Sequence, residues 1–324
     1  MKVLVTGGAG YIGSNLTDRL LDKGYEVFVI DDLSTGKIDN IRHNLANPKF
    51  HFTNDTILNE KIIDSLIENC DSIYHLAAVV GVKHIVDDPL KAIFSNVTGT
   101  EIILKSAYKY WKKTLIASTS EIYGKLTEIP FDEDKSLRVL GSTKIDRWAY
   151  STSKAIDEHL AFAHSKKGLP IVIVRYFNSY GPRIDEKGYG SVIARFITQA
   201  LKNEPITVHG DGKQTRCFTY IDDTVRGTIL ALETKSAEGD VYNIGSNFET
   251  SIYDLAKLIK ELTNSNSEIV LTSYESYYGT GFEDTRRRVP SIEKAKEKLG
   301  VVAEVNLREG LLKTIDWCKR NYRL

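Results

Sequence analysis

A glycine-rich turn lies between an apolar run and a helical segment at the start of the chain. Val3-Leu4-Val5 is typical of a parallel strand that is buried on both faces, and Ser14–Leu21 has helical periodicity. Between them, Gly7 permits a sharp turn, Gly10 lets a pyrophosphate approach the backbone, and Gly13 lets the helix pack closely on the strand. Because the first N–H groups of a helix lack intrahelical partners, the segment predicts an anion site.

A second apolar run, Glu26–Ile30, ends in two carboxylates, Asp31 and Asp32. Asp31 stands 24 residues after Gly7, close to the distance at which a carboxylate binds the adenosine ribose of a dinucleotide. A carboxylate at that position repels a 2′-phosphate. The sequence therefore predicts NAD, rather than NADP, as the cofactor.

The composition is that of an ordinary globular chain. Its 324 residues are 42% hydrophobic, and Lys+Arg and Asp+Glu both number 43, so nothing suggests a nucleic-acid partner. The three widely spaced cysteines indicate a reducing compartment and match neither a disulfide framework nor a zinc site, so no metal is expected. No apolar run approaches ~18 residues, and the chain begins directly with the glycine-rich element. We therefore expect a cytoplasmic protein without a membrane span.

Strand-like and helix-like segments alternate through the first half. Further apolar runs cover residues 50–52, 72–78, 114–118 and 170–175, with helical segments at 59–69, 89–111 and 148–167. This alternation predicts an α/β fold, a doubly wound, Rossmann-like parallel sheet that binds ligands at the carboxyl ends of its strands.

The second half is less regular. Short strands are predicted at 206–209 and 217–221, and helices at 191–202, 223–234, 252–263 and 291–299. We expect an NAD-binding domain over residues 1–177 and a smaller α/β nucleotide-sugar-binding domain over residues 178–324. Whether the chain crosses back between them stays open at this point.

Tyr150 and Lys154 are one helical turn apart and therefore share a helix face. A neighbouring ammonium lowers the pKa of a phenol, which predicts Tyr150 as a general base near neutral pH. Lys154 could also bind the nicotinamide ribose. Since the same spacing arises by chance on helices, the pair alone leaves a purely structural interpretation open.

The strand ends add to this pair. Thr119 follows the 114–118 strand, so its hydroxyl is expected to face the nicotinamide and share the substrate hydroxyl with Tyr150. Ala77 and Ala78 end another strand, and their small side chains would let a cofactor lie against the backbone.

At this point the chain resembles, over nearly its whole length, the extended short-chain dehydrogenases/reductases that act on nucleotide-diphospho-sugars. The resemblance rests on six motifs, namely Gly7-Gly8-Ala9-Gly10-Tyr11-Ile12-Gly13, His75-Leu76-Ala77-Ala78, Asn96-Val97-Thr98-Gly99-Thr100, Ser118-Thr119-Ser120-Glu121-Ile122-Tyr123-Gly124, Tyr150-Ser151-Thr152-Ser153-Lys154 and Arg175-Tyr176-Phe177-Asn178-Ser179-Tyr180-Gly181-Pro182-Arg183. It implies that Tyr150 takes the proton of the sugar 4-hydroxyl while C4 gives a hydride to NAD. Thr119 would hold the C4 oxygen of the resulting 4-keto sugar.

The resemblance also implies the ligand contacts. Those to NAD would come from Gly7, Gly10, Tyr11, Ile12, Gly13, Asp31, Asp32, Asp55, Leu76, Ala77, Ala78, Asn96, Lys154 and Tyr176. Those to the nucleotide-sugar would come from Val82, Asn178, Val192, Arg216 and Arg288. Arg216 is expected to bind the diphosphate, because a guanidinium binds such a group in a bidentate manner. One of Arg286, Arg287 and Arg288 is a candidate for a second arginine, the alternative being a solvated basic run.

Subfamilies differ in the fate of the 4-keto sugar, which is epimerised at C4, loses a C5 carboxylate, or loses the C5 proton and the C6 hydroxyl. Ser-Thr-x-Glu resembles the decarboxylases and dehydratases, in which Glu121 would be a base near C5. Ser120 stands where many dehydratases have an acidic proton donor, although GDP-mannose dehydratases share Ser-Thr-Ser-Glu and Lys125. A carboxylate satisfied by backbone N–H groups is the structural alternative for Glu121.

Three further features resemble either the decarboxylases or the epimerases. Arg147-Trp148 and the 31-residue separation of Thr119 and Tyr150 resemble bacterial UDP-glucuronate decarboxylases, whereas the loop Val79–Ile85 resembles that of 4-epimerases. We expect a UDP-sugar 4-epimerase of the UDP-glucose type. The alternatives are UDP-glucuronate decarboxylase, NDP-sugar 4,6-dehydratase and a non-enzymatic NAD-binding sensor or scaffold. Because the family dimerises through two helices, here 89–111 and 148–167, we also expect a homodimer.

Overall fold

Seven parallel strands form the central sheet of the computed structural model, which describes residues 1–81, 85, 87–186, 191–274 and 283–322. The strands in chain order are β1 (Lys2–Thr6), β2 (Glu26–Ile30), β3 (Phe50–Thr53), β4 (Ser72–His75), β5 (Lys113–Thr119), β6 (Ile171–Tyr176), β7 (Ser179–Tyr180), β8 (Ile206–His209), β9 (Thr215–Cys217), β10 (Thr219–Tyr220), β11 (Asp240–Ile244), β12 (Glu249–Ser251), β13 (Ile269–Thr272) and β14 (Arg287–Arg288).

The described helices in chain order are α1 (Tyr11–Asp22), α2 (Glu60–Glu68), α3 (Pro89–Tyr110), α4 (Arg147–Lys166), α5 (Val192–Leu201), α6 (Ile221–Glu233), α7 (Ile252–Thr263), α8 (Glu293–Leu299) and α9 (Leu307–Asn321). Most match the predicted segments to within a few residues. The strands β11 to β14 and the helix α9 were not predicted.

The sheet order, β11-β6-β5-β4-β1-β2-β3, confirms the predicted doubly wound fold. Alternate residues of β1 point to opposite faces, so Val3 and Val5 join one buried cluster and Leu4 joins the other. Strand order reverses between β1 and β4, whose carboxyl ends, Thr6 and His75, are register partners. A doubly wound sheet binds its ligands at such a reversal.

The second half of the chain contributes to the same sheet. The strand β11 lies parallel to β6 at the edge of the sheet. Outside this sheet, β8 pairs with β13, and β9 pairs with β12 and β14. Helix α6 packs against α1. The chain thus returns to the first half, while the predicted division at residue 177 stays a prediction.

Among the described residues, no helix combines the length and the apolarity needed to cross a membrane. Within the same ranges, no three His, Cys, Asp or Glu side chains converge as a metal site would require.

Candidate active site

The glycine turn after β1 brings two backbone segments into close contact. Gly7 has a φ of +71°, and a Cβ atom there would lie 2.9 Å from the backbone of Ala77. A Cβ at Gly13 would collide with the Gly7 carbonyl oxygen. Helix α1 starts directly after Gly10, a residue without a side chain to cap the helix. These features fit the pyrophosphate of a dinucleotide, which needs exposed N–H groups and close backbone approach.

Asp31 lies at the end of β2 with its carboxylate facing this turn. Its Oδ2 accepts the Ala9 N–H at 2.9 Å, and its Oδ1 accepts the Leu33 N–H at 2.9 Å. With the Gly10 N–H as a third donor, the carboxylate keeps one of its four acceptor positions, which suits a ribose hydroxyl. Burial raises the pKa of Asp31, against the lowering effect of these N–H groups. Gly36 packs directly against this carboxylate, since a Cβ atom at that position would lie 2.7 Å from Asp31 Oδ1.

Asp32 and Asp55 hydrogen-bond within their own loops. Asp32 is exposed and accepts the Ser34 N–H at 2.9 Å. Asp55 accepts the Thr56 N–H at 2.7 Å and the Asn59 amide at 2.9 Å.

Other predicted cofactor residues make contacts that fix the rim of the crevice. The Asn96 amide accepts the Val79 N–H at 2.8 Å and donates to Ser153 Oγ at 3.2 Å, which ties the loop after β4 to α4. Tyr11 Oη lies 3.3 Å from Ser179 Oγ. Ile12 packs against the hydrophobic core.

Tyr176 ends β6 as the register partner of Thr119, and its hydroxyl lies 2.8 Å from Thr228 Oγ1 of α6. Its phenol group is thus bound within the protein.

Thr119 stands where β5 turns into a short 3₁₀ turn, Ser120–Tyr123. Its Oγ1 accepts the Glu121 N–H at 3.2 Å, and Ser151 Oγ donates to the Glu121 carbonyl at 2.7 Å. The second bond fixes the first turn of α4, which carries Tyr150, beside the end of β5. Thr119 also hydrogen-bonds with Tyr150, while Ser120 is buried next to it.

The structure contradicts the predicted direction of the Tyr150 pKa. Burial raises the pKa of this phenol, the negative charges of Glu121 and Asp157 raise it further, and the Thr119 hydrogen bond lowers it. The ammonium that was expected to lower the pKa of Tyr150 is itself paired with a carboxylate, because Lys154 Nζ lies 2.7 Å from Asp157 Oδ2. A positive charge beside the phenol therefore has a carboxylate to oppose it.

Behind Thr119 and Tyr150, three buried arginines surround two carboxylates. Arg288 Nη1 lies 3.1 Å from Glu121 Oε1, and Arg147 Nη2 lies 3.4 Å from Glu121 Oε2 and 3.5 Å from Asp284 Oδ1. Arg216 Nη2 donates to both Asp284 oxygens at 2.8 and 2.9 Å. We call these five residues the arginine cluster. Glu283 is a further carboxylate near the cluster, and Lys125, Trp148 and, to a smaller extent, Arg147 lower its pKa.

The arginines set the charge state of Glu121. Burial alone would raise its pKa, but Arg147, Arg288 and Arg216 lower the pKa to about 2. The structural alternative of a carboxylate held by backbone N–H groups does not describe this residue. The predicted role of a C5 base is also weakened, because an anion stabilised by guanidinium groups is a poor proton acceptor.

The strand β14 places the three consecutive arginines in different surroundings. Arg288 is buried beside its register partner Arg216, whereas Arg286 pairs with Asp211 and Arg287 pairs with Glu249 at the surface. Only Arg288 of the three thus joins the cluster. Arg216 is paired with Asp284. A diphosphate would have to share Arg216 with this carboxylate or displace the carboxylate from it.

The remaining predicted substrate residues lie at the carboxyl side of β6. Asn178 Oδ1 is buried without a hydrogen-bond partner among the described residues, as expected of a group that binds a ligand. Val192 begins α5 directly after its N-cap residue, Ser191. Val82 lies outside the described residues.

Sequence reasoning did not single out Asp157 or Asp284 and used Arg147 only as part of a resemblance. Arg147 and Asp157 could have been found, because they stand three residues before Tyr150 and three residues after Lys154 and so share their helix face. Asp284 has no comparable signal, since its place depends on the pairing of β14 with β9.

The chain was compared with known proteins. The sequence pattern of the family described as GDP-mannose 4,6-dehydratase matches residues 4–314. A UDP-N-acetyl-alpha-D-glucosaminuronate decarboxylase of Bacillus cytotoxicus is 42% identical over 316 residues, which cover 98% of this chain and 97% of the relative. UDP-glucuronic acid decarboxylase 1 of Xenopus tropicalis is 36% identical over 322 residues, 98% of this chain and 72% of that protein.

A solved structure shows the same fold with ligands. UDP-glucuronic acid 4-epimerase of Bacillus cereus, in complex with UDP-glucuronic acid and NAD, superposes with a TM-score of 0.88 at 33% identity. The match covers 99% of this chain and all of the other. The prediction of the family is thereby confirmed, and NAD is confirmed as its cofactor. The relatives favour the decarboxylase alternative over the expected epimerase.

Proposed function

The chain belongs to the GDP-mannose 4,6-dehydratase family of extended short-chain dehydrogenases/reductases, enzymes that modify nucleotide-diphospho-sugars with NAD, and we propose that it decarboxylates a UDP-hexuronate. The observation that carries the proposal is the arginine cluster, in which three buried guanidinium groups lie beside the Thr119–Tyr150 pair. Guanidinium groups in such a place can bind a sugar that bears its own carboxylate. The 42% identity to a UDP-N-acetylglucosaminuronate decarboxylase supports the same choice.

The proposed reaction needs a ketone next to the carbon that bears the carboxylate. NAD supplies this by accepting a hydride from C4, while Tyr150 takes the proton of the 4-hydroxyl and Thr119 holds the oxygen. With C4 oxidised, the electron pair of the bond between C5 and the carboxyl carbon moves toward the ketone oxygen as carbon dioxide leaves, and the resulting enolate then takes a proton from solvent at C5. Tyr150 and Thr119 then donate hydrogen bonds to the oxygen on which negative charge develops.

Arg147 and Arg288 hold the substrate carboxylate before it leaves. Both guanidinium groups are buried, so their attraction to an anion is weakly screened by solvent. The two arginines also explain why dehydration is disfavoured. That reaction needs a base that removes the C5 proton, and Glu121, with a pKa of about 2, is too weak a base.

Epimerisation at C4 is the second candidate. The structural match to a UDP-glucuronic acid 4-epimerase favours it, since that enzyme also acts on a sugar acid and keeps its carboxylate. Both reactions share the ketone, so the cluster of arginines alone does not separate them.

Mass spectrometry after separate incubations with UDP-N-acetylglucosaminuronate, UDP-glucuronate and UDP-glucose tests the proposal. We expect one of the two acids to lose the mass of carbon dioxide, and UDP-glucose to stay unchanged. A product of unchanged mass with the inverted C4 configuration supports the second candidate, and loss of water contradicts both. The Tyr150→Phe variant serves as the control for contaminating activity.

We further propose that the chain is a homodimer through α3 and α4. Leu90, Ile93 and Phe94 of α3 and Ile156 of α4 are exposed apolar side chains. Ile102 and Ile103 of α3 pack in the core against the sheet and do not contribute to this surface. Light scattering should give twice the 36.4 kDa mass of the chain, and Phe94→Asp with Ile156→Asp should give the monomer mass.

A further inference from the structure

The Lys154 ammonium is bound by a carboxylate that the proposed reaction does not use. Lys154 Nζ and Asp157 Oδ2 lie 2.7 Å apart on α4, with side-chain exposures of 3% and 0%. A lone charge in such surroundings costs several kcal/mol, so each group requires the other. The position of Lys154 therefore depends on Asp157.

A chain of hydrogen bonds begins behind this pair at Thr6, at the end of β1. Thr6 Oγ1 accepts the N–H groups of Leu76 and Ala77 at 3.2 and 3.1 Å, which occupies both of its acceptor positions. Its own proton must therefore go to His75 Nδ1, 2.8 Å away. His75 then carries its proton on Nε2 and donates to Thr100 Oγ1 at 3.0 Å.

The chain ends at the carboxylate. Because Thr100 Oγ1 accepts from His75, its hydroxyl proton is available to Asp157, and this hydrogen bond lowers the pKa of Asp157. Burial raises that pKa by a larger effect, Lys154 lowers it, and Glu158 raises it. His75 stays neutral, because burial and the charge of Lys154 lower its pKa to about 3. Asp157 Oδ2 thus binds Lys154, the Thr100 hydroxyl lowers the pKa of the carboxylate, and Asp157 Oδ1 is buried without a hydrogen-bond partner among the described residues.

Several groups from different elements face Tyr150. Glu121 of the turn after β5 and Asp157 of its own helix are negative, and Thr119 at the end of β5 donates or accepts a hydrogen bond. Around Asp157 stand Lys154 and Glu158 of α4 and Thr100 of α3. Glu158 is itself paired with Arg175 of β6 at 2.7 Å. Asp157 is therefore the carboxylate that pairs with the Lys154 ammonium, one helical turn after Tyr150.

We propose that Asp157 is a positioning residue, which holds the Lys154 ammonium along α4 and, by opposing its charge, sets the pH at which Tyr150 loses its proton. The inference rests on the proposed function only for the role of Tyr150 as the base. Removing the negative charge should leave Lys154 unopposed and stabilise the phenolate. The change Asp157→Asn keeps the shape of the side chain and a hydrogen-bond acceptor.

A nuclear magnetic resonance titration tests this without any substrate, so it is independent of which sugar the enzyme uses. The full chain is labelled with ¹³Cζ-tyrosine and saturated with NAD, and the Tyr150 signal is the one missing from Tyr150→Phe. We expect the Tyr150 midpoint to fall by about one pH unit in Asp157→Asn, as for removal of a nearby like charge. Glu101→Gln, which removes an exposed carboxylate next to Thr100, should leave the midpoint unchanged.

A second variant covers the case in which Asp157→Asn fails to fold. Asp157→Ser removes the charge and leaves room for a water molecule beside Lys154, so the Tyr150 midpoint should fall in this variant as well. The proposal is wrong if the midpoint is unchanged or higher in the folded variants. Because burial raises the pKa of Tyr150, wild type should still show the phenol signal at about pH 10, and the proposal is also wrong if Glu101→Gln lowers the midpoint as far as Asp157→Asn does.

Discussion

The Arg288 guanidinium lies 3.1 Å from the Glu121 carboxylate, across 167 residues of sequence, while the adjacent Arg287 pairs with Glu249 at the surface. Arg288 is 6% exposed, and the side chain of Arg287 is 52% exposed. Two consecutive arginines of one strand thus have entirely different surroundings. This offers a matched pair of variants.

We expect Arg288→Met to lower kcat/KM for a UDP-hexuronate by at least about 100-fold, because it removes a buried charge that binds an anion. Arg287→Met should change kcat/KM by less than about threefold, since an exposed ion pair contributes little. Product formation by mass spectrometry measures both. Equal losses in the two variants would count against a substrate carboxylate in the cluster.

Tyr150→Phe should lower turnover by about 10² to 10⁴-fold, as removal of a general base does, without a change in Tm. In the wild type, burial and the charge of Glu121 raise the pKa of Tyr150. The active, deprotonated form therefore increases with pH, so kcat/KM should still be rising above neutral pH. A stopped-flow record of NADH absorbance at several pH values measures this, and a rate that falls from pH 7 to 9 would contradict it.

His75 should stay neutral in the folded protein, with its proton on Nε2. Burial and Lys154 lower its pKa to about 3, whereas an unfolded histidine binds a proton below its ordinary pKa of 6.5. As pH falls below that value, the unfolded state gains a proton that the folded state excludes. The folded state should lose about 1.4 kcal/mol of stability per pH unit from this residue.

Two measurements check the His75 prediction. A ¹⁵N spectrum of histidine-labelled protein should show an Nε2–H tautomer unchanged between pH 8 and 5, identified by its absence from His75→Asn. Urea denaturation should show a steeper loss of stability with acid in wild type than in that variant. A His75 signal that titrates near pH 6.5 would refute the assignment.

The Asp31 carboxylate should exclude NADP. We expect wild type to bind NAD at least about 100-fold more tightly than NADP, because a 2′-phosphate would meet a buried carboxylate. Asp31→Asn should reduce this ratio at least about tenfold, since it removes the repulsion and one ribose acceptor. Calorimetric titration measures both ratios, with Asp39→Asn, an exposed carboxylate paired with Arg42, as the control. An unaltered ratio in Asp31→Asn would show that the discrimination arises elsewhere.

Local patterns predicted those parts of the fold that local interactions determine. The strand β1, the glycine turn and α1 follow from burial periodicity and backbone freedom, and Tyr150 and Lys154 follow from helical spacing. The central sheet was predicted because each of its first six strands is an apolar run between helical segments.

Features that depend on long-range pairing were not predicted. Asp284 reaches Arg216 through the pairing of β14 with β9, two short strands of two and three residues. The pKa of Tyr150 was predicted in the wrong direction for a reason that is only partly long-range. Asp157 follows Lys154 by three residues on the same helix and was overlooked, whereas the position of Glu121 depends on the packing of the turn after β5 against α4.

The position of β11 limits how this chain can be divided. Its five residues come from beyond residue 177, yet they supply the hydrogen bonds along the open edge of β6. A fragment that stops at residue 177 would leave β6 as an unprotected apolar edge, which favours aggregation. Residues 1–177 and residues 178–324 must therefore fold together, and engineering that exchanges one of these segments has to carry β11 with the first.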